Sequence, residues 1–232
     1  MNTQSDLHPI QAKILRVLLF KPLARFSELN GSGLSNDHFT FHINRLVEIG
    51  LVEKLGGKYQ LTTVGKEFAN RLDTDTTQIE RQAKTAILIV AVRQEGDQPQ
   101  YLMQQRLKQP YFGFHGFISG KVRWGEEILV AADRELMEEA GLQGGKKTLM
   151  GIEHKMDCKG EMIQEDKYFY IVKTEEPEGE LTVDFEGGKS LWLTEKEILE
   201  LPKLFDDISA ILGLVNGRKF AFLEKKYQID EY

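Results

Sequence analysis

Apolar residues in the C-terminal two thirds of the chain follow two periods, one typical of strands and one typical of helices. The continuously apolar run at 86–92 predicts a buried strand, and it is far too short to cross a membrane. The strands and helices that follow predict an α/β sandwich with a mixed sheet. The expected strands are 84–94, 100–106, 148–157 and 167–174, the expected helices are 195–201 and 204–214, and the tail 218–232 is expected to add a strand or to pack on the other domain.

A further helix is predicted at 126–140, where an apolar stripe runs beside a group of acidic residues. Gly141 is expected to end this helix, because glycine readily adopts the left-handed conformation of a C-terminal cap. The stripe that should face the core consists of Leu129, Ala132, Leu136 and Ala140.

Three glutamates, Glu135, Glu138 and Glu139, fall in one sector beside that stripe, near the C-terminal end of the helix. Like charges at this spacing cost about 0.2–0.5 kcal/mol per pair, and acidic residues are also disfavoured at the negative end of the helix dipole. A divalent cation would offset this repulsion, because Mg²⁺ and Mn²⁺ prefer carboxylate oxygens and water. The alternative is an acidic face that is simply solvated.

The glutamates belong to a longer pattern that resembles the Nudix box, Gly-x5-Glu-x7-Arg-Glu-U-x-Glu-Glu-x-Gly-U, in which U is aliphatic. The flanking pattern from about residue 83 to residue 214 is also similar to Nudix domains. Every specified position of the box is matched, by Gly120, Glu126, Arg134, Glu135, Leu136, Glu138, Glu139, Gly141 and Leu142.

The resemblance implies metal-dependent hydrolysis of a nucleoside diphosphate linked to another group, with Mg²⁺ or Mn²⁺ as cofactor. It implies that Glu135, Glu138 and Glu139 ligate the metal, with the backbone carbonyl of Ser119 as a further ligand. It also implies that Arg134 orients a carboxylate and acts in catalysis together with Glu135 and Glu138. Glu186, six residues before Trp192, is a candidate for an additional acid, and an ordinary loop residue is the alternative there.

The substrate stays open. Lys121 and Arg123 are candidates for phosphate binding, as is Lys108, and Phe114 is a candidate for stacking on a nucleobase. The stretch 156–160 has neither the proline typical of ADP-ribose hydrolases of this family nor the tyrosine typical of its dinucleoside polyphosphate hydrolases. Nucleotide sugars, ADP-ribose and nucleoside triphosphates are therefore all compatible with the box.

The first third of the chain predicts a separate small domain. Helices are expected at 10–20, 26–29 and 63–72, and strands at 51–55 and 58–61 around a Gly56-Gly57 turn. A third helix should begin after the N-cap Ser35 and run to Ile49. This order resembles a winged helix-turn-helix domain, so the expected organisation is a winged helix at 1–75, a linker at 76–83 and a Nudix hydrolase domain at 84–232.

The third helix should pack through Phe39, Ile43, Leu46 and Val47, and its other face should be exposed. On that face His38, Asn44 and Arg45 are candidates for contacts with DNA. The acidic residues and Phe41 on the same face favour a protein partner or a homodimer instead. The overall alternative to an enzyme is a transcription regulator whose Nudix domain senses a nucleotide.

The composition of the chain limits the possible number of domains, its disulfides and its compartment. The chain has 232 residues, 41% of them hydrophobic, and a net charge of −6, so it can form two packed domains. Its single cysteine, Cys158, excludes an intrachain disulfide and suggests a packing role in a reducing compartment. The N-terminus has neither the basic nor the apolar run of a signal peptide, so a cytoplasmic protein is expected.

Overall fold

The computed structural model describes residues 7–31, 33–73, 81–217 and 219–230. The chain divides into two compact units, Met1–Arg81 and Gln82–Tyr232. Each unit has its own hydrophobic core. Most of the expected linker, 76–83, lies outside the described residues. None of the described helices combines the length and the apolar composition that a membrane span requires.

The N-terminal unit contains the expected order of three helices, a hairpin and a helix, with one short additional strand. The hairpin and that strand form a three-stranded antiparallel sheet in the order β1-β3-β2. The elements are α1 (Pro9–Phe20), β1 (Ala24–Arg25), α2 (Phe26–Leu29), α3 (Asn36–Glu48), β2 (Val52–Leu55), β3 (Lys58–Leu61) and α4 (Thr63–Ala69).

Helix α3 begins where the sequence predicts, because the Ser35 hydroxyl accepts a hydrogen bond from the His38 backbone N–H at 3.4 Å. Its predicted core face is wrong at one position. Val47 is 38% exposed, whereas His42 is only 3% exposed and takes its place in the packed face. The neighbouring rings of His8 and Phe41 pack against the imidazole of His42, which explains how a polar side chain is accommodated there.

The C-terminal unit is built on one large mixed sheet. Strands β4 and β10 pair in parallel, as do β9 and β14, and the other pairs are antiparallel. The strand order is β12-β13-β5-β4-β10-β9-β14, with β6 on β5 and β7 on β4. The strands are β4 (Lys84–Glu95), β5 (Gln98–Arg106), β6 (His115–Gly116), β7 (Ile118–Lys121), β8 (Leu142–Gln143), β9 (Lys146–Lys159), β10 (Met162–Glu175), β11 (Glu178–Gly179), β12 (Asp184–Phe185), β13 (Gly188–Thr194) and β14 (Ala221–Gln228).

Helices cover both faces of this sheet, which confirms the predicted α/β sandwich. Helix α5 (Ile128–Ala140) covers one face, and α6 (Glu195–Leu199) and α7 (Ile208–Asn216) cover the other. Successive residues of β4 point to opposite faces. Ile87 and Ile89 therefore belong to the core under α5, and Leu88 and Val90 to the core under α7, as the unbroken apolar run predicts.

The tail forms β14, so the first of the two alternatives for this segment is correct. The predicted core stripe of α5 is wrong at Leu129, which is 43% exposed, while Ala131 is fully buried in its place. The helix begins two residues later than expected, at Ile128, so Leu129 lies in its first turn. Cys158 is a free, buried cysteine, as its predicted packing role requires.

Candidate functional site

The site is assembled from the end of β7, the loop that follows it, and α5. Gly120 lies on β7, opposite Ile87 of β4, and the carboxylate of Glu135 packs directly on its α-carbon. A Cβ atom at position 120 would lie only 1.9 Å from Cδ of Glu135. The first glycine of the box is therefore required because a glutamate from α5 needs this space. Gly141 at the other end has φ 68° and caps α5 in the left-handed conformation.

Arg134 forms the centre of the hydrogen-bond network. Its Nε and Nη2 donate to both oxygens of Glu126, at 2.6 and 2.8 Å, and Nη2 also donates to the Lys121 carbonyl at 3.1 Å. Its Nη1 donates to Glu135 at 2.5 Å and to Glu138 at 3.2 Å. A guanidinium has five N–H donors, so these five contacts saturate Arg134 and fix three box carboxylates relative to each other.

Glu126 accepts a further hydrogen bond from the backbone N–H of Arg123 at 2.8 Å. Together with the Arg134 hydrogen bonds, which contribute most, it lowers the pKa of Glu126 to about 2. The same pair raises the pKa of Arg134 above its usual value. Glu126 is therefore a fixed anion that holds the loop to α5.

Glu135, Glu138 and Glu139 stay predicted metal ligands, and their side chains have different surroundings in the structure. Glu138 is half exposed and pairs with Arg123 at 3.1 Å as well as with Arg134. Glu135 and Glu139 instead line a common cavity of about 560 Å³. Glu138 and Glu139 are neighbours in sequence and lie about 100° apart around the helix, and of the two Glu139 lines the cavity.

Glu139 is nearly as buried as Glu135, with 13% of its side chain exposed against 12%. Burial raises its pKa, and the negative charge of Glu135 also raises it, while a hydrogen bond from Gln104 and the charge of Lys108 act against the rise. Nε2 of Gln104 donates to Glu139 at 3.0 Å, and Nζ of Lys108 lies 3.7 Å from its other oxygen. A cation beside Glu135 and Glu139 would stabilise both in their charged form.

The side chains of the described residues form no group of three or more histidine, cysteine, aspartate or glutamate residues arranged to hold a metal. The two carboxylates and Ser119 at the cavity nevertheless fit Mg²⁺ or Mn²⁺ chemically. Mg²⁺ commonly takes one or two carboxylates and completes its octahedral shell with water and phosphate oxygens. We name Glu135 and Glu139, which line the cavity, together with Arg134 and Glu126, which lie outside the lining and hold Glu135, the α5 wall.

The opposite side of the cavity contains charged residues that the sequence does not single out. Lys155 donates to Asp207 at 2.6 Å, and the Tyr111 hydroxyl donates to Asp157 at 2.6 Å. Both Lys155 and Asp207 are less than 9% exposed. Glu153, fully buried beside them, accepts from Tyr227 at 3.1 Å. We name Lys155, Asp157 and Asp207, which line the cavity, together with Glu153, which lies outside the lining, the β9 wall.

Burial and neighbouring charges shift the pKa values of two groups of the β9 wall, Glu153 and Lys155. Burial, followed by the charge of Asp207, raises the pKa of Glu153 to about 7. Burial alone would lower the pKa of Lys155, but the carboxylates of Asp207 and Asp157 outweigh it and raise that pKa. The signal in the sequence was the alternation of Glu153, Lys155 and Asp157 along β9, which places all three on one face of the sheet.

The two walls are well separated. Strands β9, β10, β4 and β7 are successive neighbours, so three spacings of about 4.8 Å place β9 roughly 14 Å from β7. Lys84 and Lys167 lie between the walls and both pair with Glu165. Such a cavity accommodates an elongated, charged molecule.

Some of the other predicted site residues line the cavity and some do not. Lys121 and Lys108 line the cavity, as does Arg106, which the sequence analysis does not nominate. Arg123 does not line it and pairs with Glu138. Phe114 does not line the cavity, although it packs against Tyr111 and Phe205, which do. Glu186 is exposed in the turn between β12 and β13 and also lies outside the lining.

In the N-terminal unit, the three residues nominated for DNA contacts are exposed on α3. Arg45 pairs with Glu48 at 2.7 Å on the same helix. The imidazole of His38 lies in contact with that of His42, with their Nε2 atoms 3.2 Å apart. Phe41 is 66% exposed on this face, so the face combines polar and apolar groups, as the sequence predicts.

Comparison with known proteins agrees with this geometry. No curated protein matches the chain. Among solved structures, the mutator MutT protein from Bacillus halodurans is 25% identical with a TM-score of 0.54, over 64% of this chain and 93% of the other. The Nudix domain of Shewanella oneidensis NrtR, in complex with ADP ribose, shares the fold at 13% identity with a TM-score of 0.53, over 67% of this chain and 97% of the other. The model of the Nudix domain matches residues 83–212, more than half of the chain, and the protein therefore belongs to the Nudix family.

Proposed function

We propose that the protein hydrolyses a pyrophosphate bond in a nucleoside diphosphate linked to another group, and that it requires Mg²⁺ or Mn²⁺. The observation that carries the proposal is the cavity in which Glu135 and Glu139 face lysine and arginine side chains. Carboxylates bind the cation there, and Arg106, Lys108 and Lys121 supply positive charge for the phosphate oxygens.

The metal, when bound, would neutralise the pyrophosphate and lower the pKa of a water molecule for attack at phosphorus. The chain supplies the positioning. Arg134 holds Glu135 in place, and Glu126 holds Arg134, so the ligand is oriented before the substrate arrives. Gln104 orients Glu139 from the neighbouring strand. Glu138 is half exposed and anchored by Arg134, so it remains a candidate for handling a proton at the rim of the cavity.

The substitution Glu139→Gln tests this proposal. It removes the charge of a cavity carboxylate with almost no change in shape, so metal-dependent turnover should fall by more than about 100-fold, beyond what loss of an outer-shell partner causes. The fold should persist, with an unchanged or higher melting temperature without metal, because repulsion from Glu135 is relieved.

Glu127→Gln is the matched control, because Glu127 is exposed at the start of the same helix and makes no capping hydrogen bond. Release of a monophosphate from ADP-ribose, nucleotide sugars, dinucleoside polyphosphates and nucleoside triphosphates should be measured with Mg²⁺ and with Mn²⁺. Absence of turnover across this panel in the wild type, or equal turnover in both variants, would reject the proposal.

A nucleotide-sensing regulator is the second candidate. The exposed face of α3, with Asn44 and Arg45 beside Phe41, supports it, since a winged helix contacts DNA or a protein through such a helix. We expect Arg45→Ala to keep hydrolysis and to lose salt-dependent retention on DNA, measured by gel shift with and without nucleotide. Retention that is unchanged in the variant would argue for a protein partner or a homodimer.

A further inference from the structure

The N-terminal unit contains a pair of histidines that the hydrolase site does not use. His38 and His42 are four residues apart on α3 and therefore lie one turn above each other on the same side of the helix. Their Nε2 atoms are 3.2 Å apart. Histidines at this spacing are a recurring arrangement for binding one metal ion from a single helix.

The distance itself agrees with a shared ion. Two nitrogens that each lie about 2.05 Å from a tetrahedral Zn²⁺ are roughly 3.3 Å from each other. The alternative is a hydrogen bond between two neutral imidazoles. A bound ion and this hydrogen bond both use the Nε2 atoms and both leave Nδ1 of His42 without a partner among the described residues, so binding of an added ion distinguishes them.

The ring of His42 is held by its neighbours, whereas the ring of His38 is accessible to solvent. His42 is 3% exposed, stacks on the ring of His8 with centroids 4.3 Å apart, and meets the edge of Phe41. His38 is exposed on the surface of α3. Packing thus fixes the ring of His42, and the ring of His38 lies at the solvent. An ion can therefore enter from the solvent, and only one side chain loses conformational freedom when it binds.

The three other histidines of the chain have other contacts. Nδ1 of His8 accepts a hydrogen bond from the backbone N–H of Ile10 at 3.2 Å. Both ring nitrogens of His154 lie 2.8 Å from carboxylates, those of Glu224 and Asp166. Nδ1 of His115 is 2.7 Å from the Pro202 carbonyl. Since the described residues contain no group of three or more metal-binding side chains, the pair on α3 is a two-nitrogen chelate, completed by water or by an external anionic group.

We propose that His38 and His42 bind a borderline transition-metal ion of the Zn²⁺ class on the surface of α3. Imidazole nitrogens prefer Zn²⁺, Co²⁺, Ni²⁺ and Cu²⁺, whereas the carboxylates of the cavity prefer Mg²⁺ and Mn²⁺. The site is therefore chemically distinct from the hydrolase site. The bound ion joins two successive turns of α3, so it stabilises the N-terminal unit by mass action.

The test uses the full-length chain without a polyhistidine tag and in excess Mg²⁺, which occupies the carboxylate site. Co²⁺ is added and followed by its visible absorption, and Zn²⁺ is measured by calorimetry. The wild type should bind one equivalent of each ion. His38→Gln should lose this equivalent while its Mg²⁺-dependent hydrolysis stays unchanged, because His38 lies in the other unit of the chain.

Two controls separate the sites. His154→Gln and Glu139→Gln should each keep the Co²⁺ equivalent, the second even though the cavity carboxylate is altered. His38→Cys should also keep it, with a new thiolate-to-cobalt absorption band, which shows direct coordination and avoids disturbing the buried His42. Absence of binding in the wild type, equal binding in His38→Gln, or loss in Glu139→Gln would overturn the proposal.

Discussion

Two carboxylates, Glu126 on the α5 wall and Glu153 on the β9 wall, have pKa shifts in opposite directions. On the α5 wall, Glu126 receives two hydrogen bonds from Arg134 and one from a backbone N–H, and its pKa falls to about 2. On the β9 wall, Glu153 is fully buried next to Asp207, and its pKa rises to about 7. Hydrogen-bond donors therefore decide the direction of the pKa shift of Glu126, and burial decides the direction of the pKa shift of Glu153.

The difference indicates a division of tasks. On the α5 wall, Arg134 fixes Glu126 and Glu135 in position and the pKa of Glu126 is lowered, whereas burial raises the pKa of Glu139. The β9 wall keeps unsatisfied oxygens, since one oxygen each of Glu153, Asp157 and Asp207 is buried and has no hydrogen-bond partner in the described part of the chain. We expect changes on the α5 wall to affect turnover and changes on the β9 wall to affect stability.

The largest effect is expected from Lys155→Met, which breaks the buried Lys155–Asp207 pair and leaves uncompensated carboxylates. Loss of one partner of such a pair typically costs about 3–5 kcal/mol of unfolding free energy. Urea unfolding at pH 7 measures the loss. The double variant Lys155→Met/Asp207→Leu should recover most of the lost unfolding free energy. If Lys155→Met were as stable as the wild type, the proposed role of the β9 wall in stability would be wrong.

Gly120→Ala should reduce turnover by about 100-fold, because a displacement of about 1 Å in a reacting group can have this effect. The new methyl group would overlap the carboxylate of Glu135, which must move. The matched control is Gly213→Ala in α7, where nothing lies within 4 Å of the new atom. That control should stabilise the fold by about 0.5–1 kcal/mol through helix propensity and leave the rate of hydrolysis unchanged.

Arg134→Lys should weaken Mg²⁺ affinity by about 10–100-fold, the range observed when an outer-shell partner of a metal ligand is lost. Lysine keeps the charge but not the planar set of donors that reaches Glu126, Glu135 and the Lys121 carbonyl together. Calorimetric titration with Mg²⁺ measures the change. Arg71→Lys, which alters the Arg71–Glu67 pair of the other unit, should have no effect on this affinity.

The smallest effect is a dependence of stability on pH that has opposite signs at the two walls. Glu126 has a lowered pKa, so its contribution is present above pH 4.5 and is lost as the pH falls towards about 2. Glu153 has a raised pKa, so its contribution is present below pH 4.5 and is lost as the pH rises through about 7. Glu153→Gln should remove the second slope only. Measuring both carboxyl pKa values by NMR tests the assignment, and equal pKa values would contradict it.

Local patterns account for much of the fold. The N-cap Ser35, the Gly56-Gly57 turn and the cap Gly141 lie where the sequence predicts, since each depends on contacts within a few residues. The apolar run of β4 likewise predicts a strand buried on both faces. Errors occur where neighbours in space decide burial, as with the exposed Leu129 and Val47 and the buried His42.

The sequence by itself determines the Nudix box, its glycines and the acidic character of the end of α5. It does so because motif spacing, helix period and cap geometry are local properties of the chain. Only the tertiary structure decides which glutamates face the cavity, that Arg134 joins Glu126 to α5, and that a second charged wall lies across the sheet. These depend on strand order and on the direction of side chains from distant segments, which no local pattern specifies.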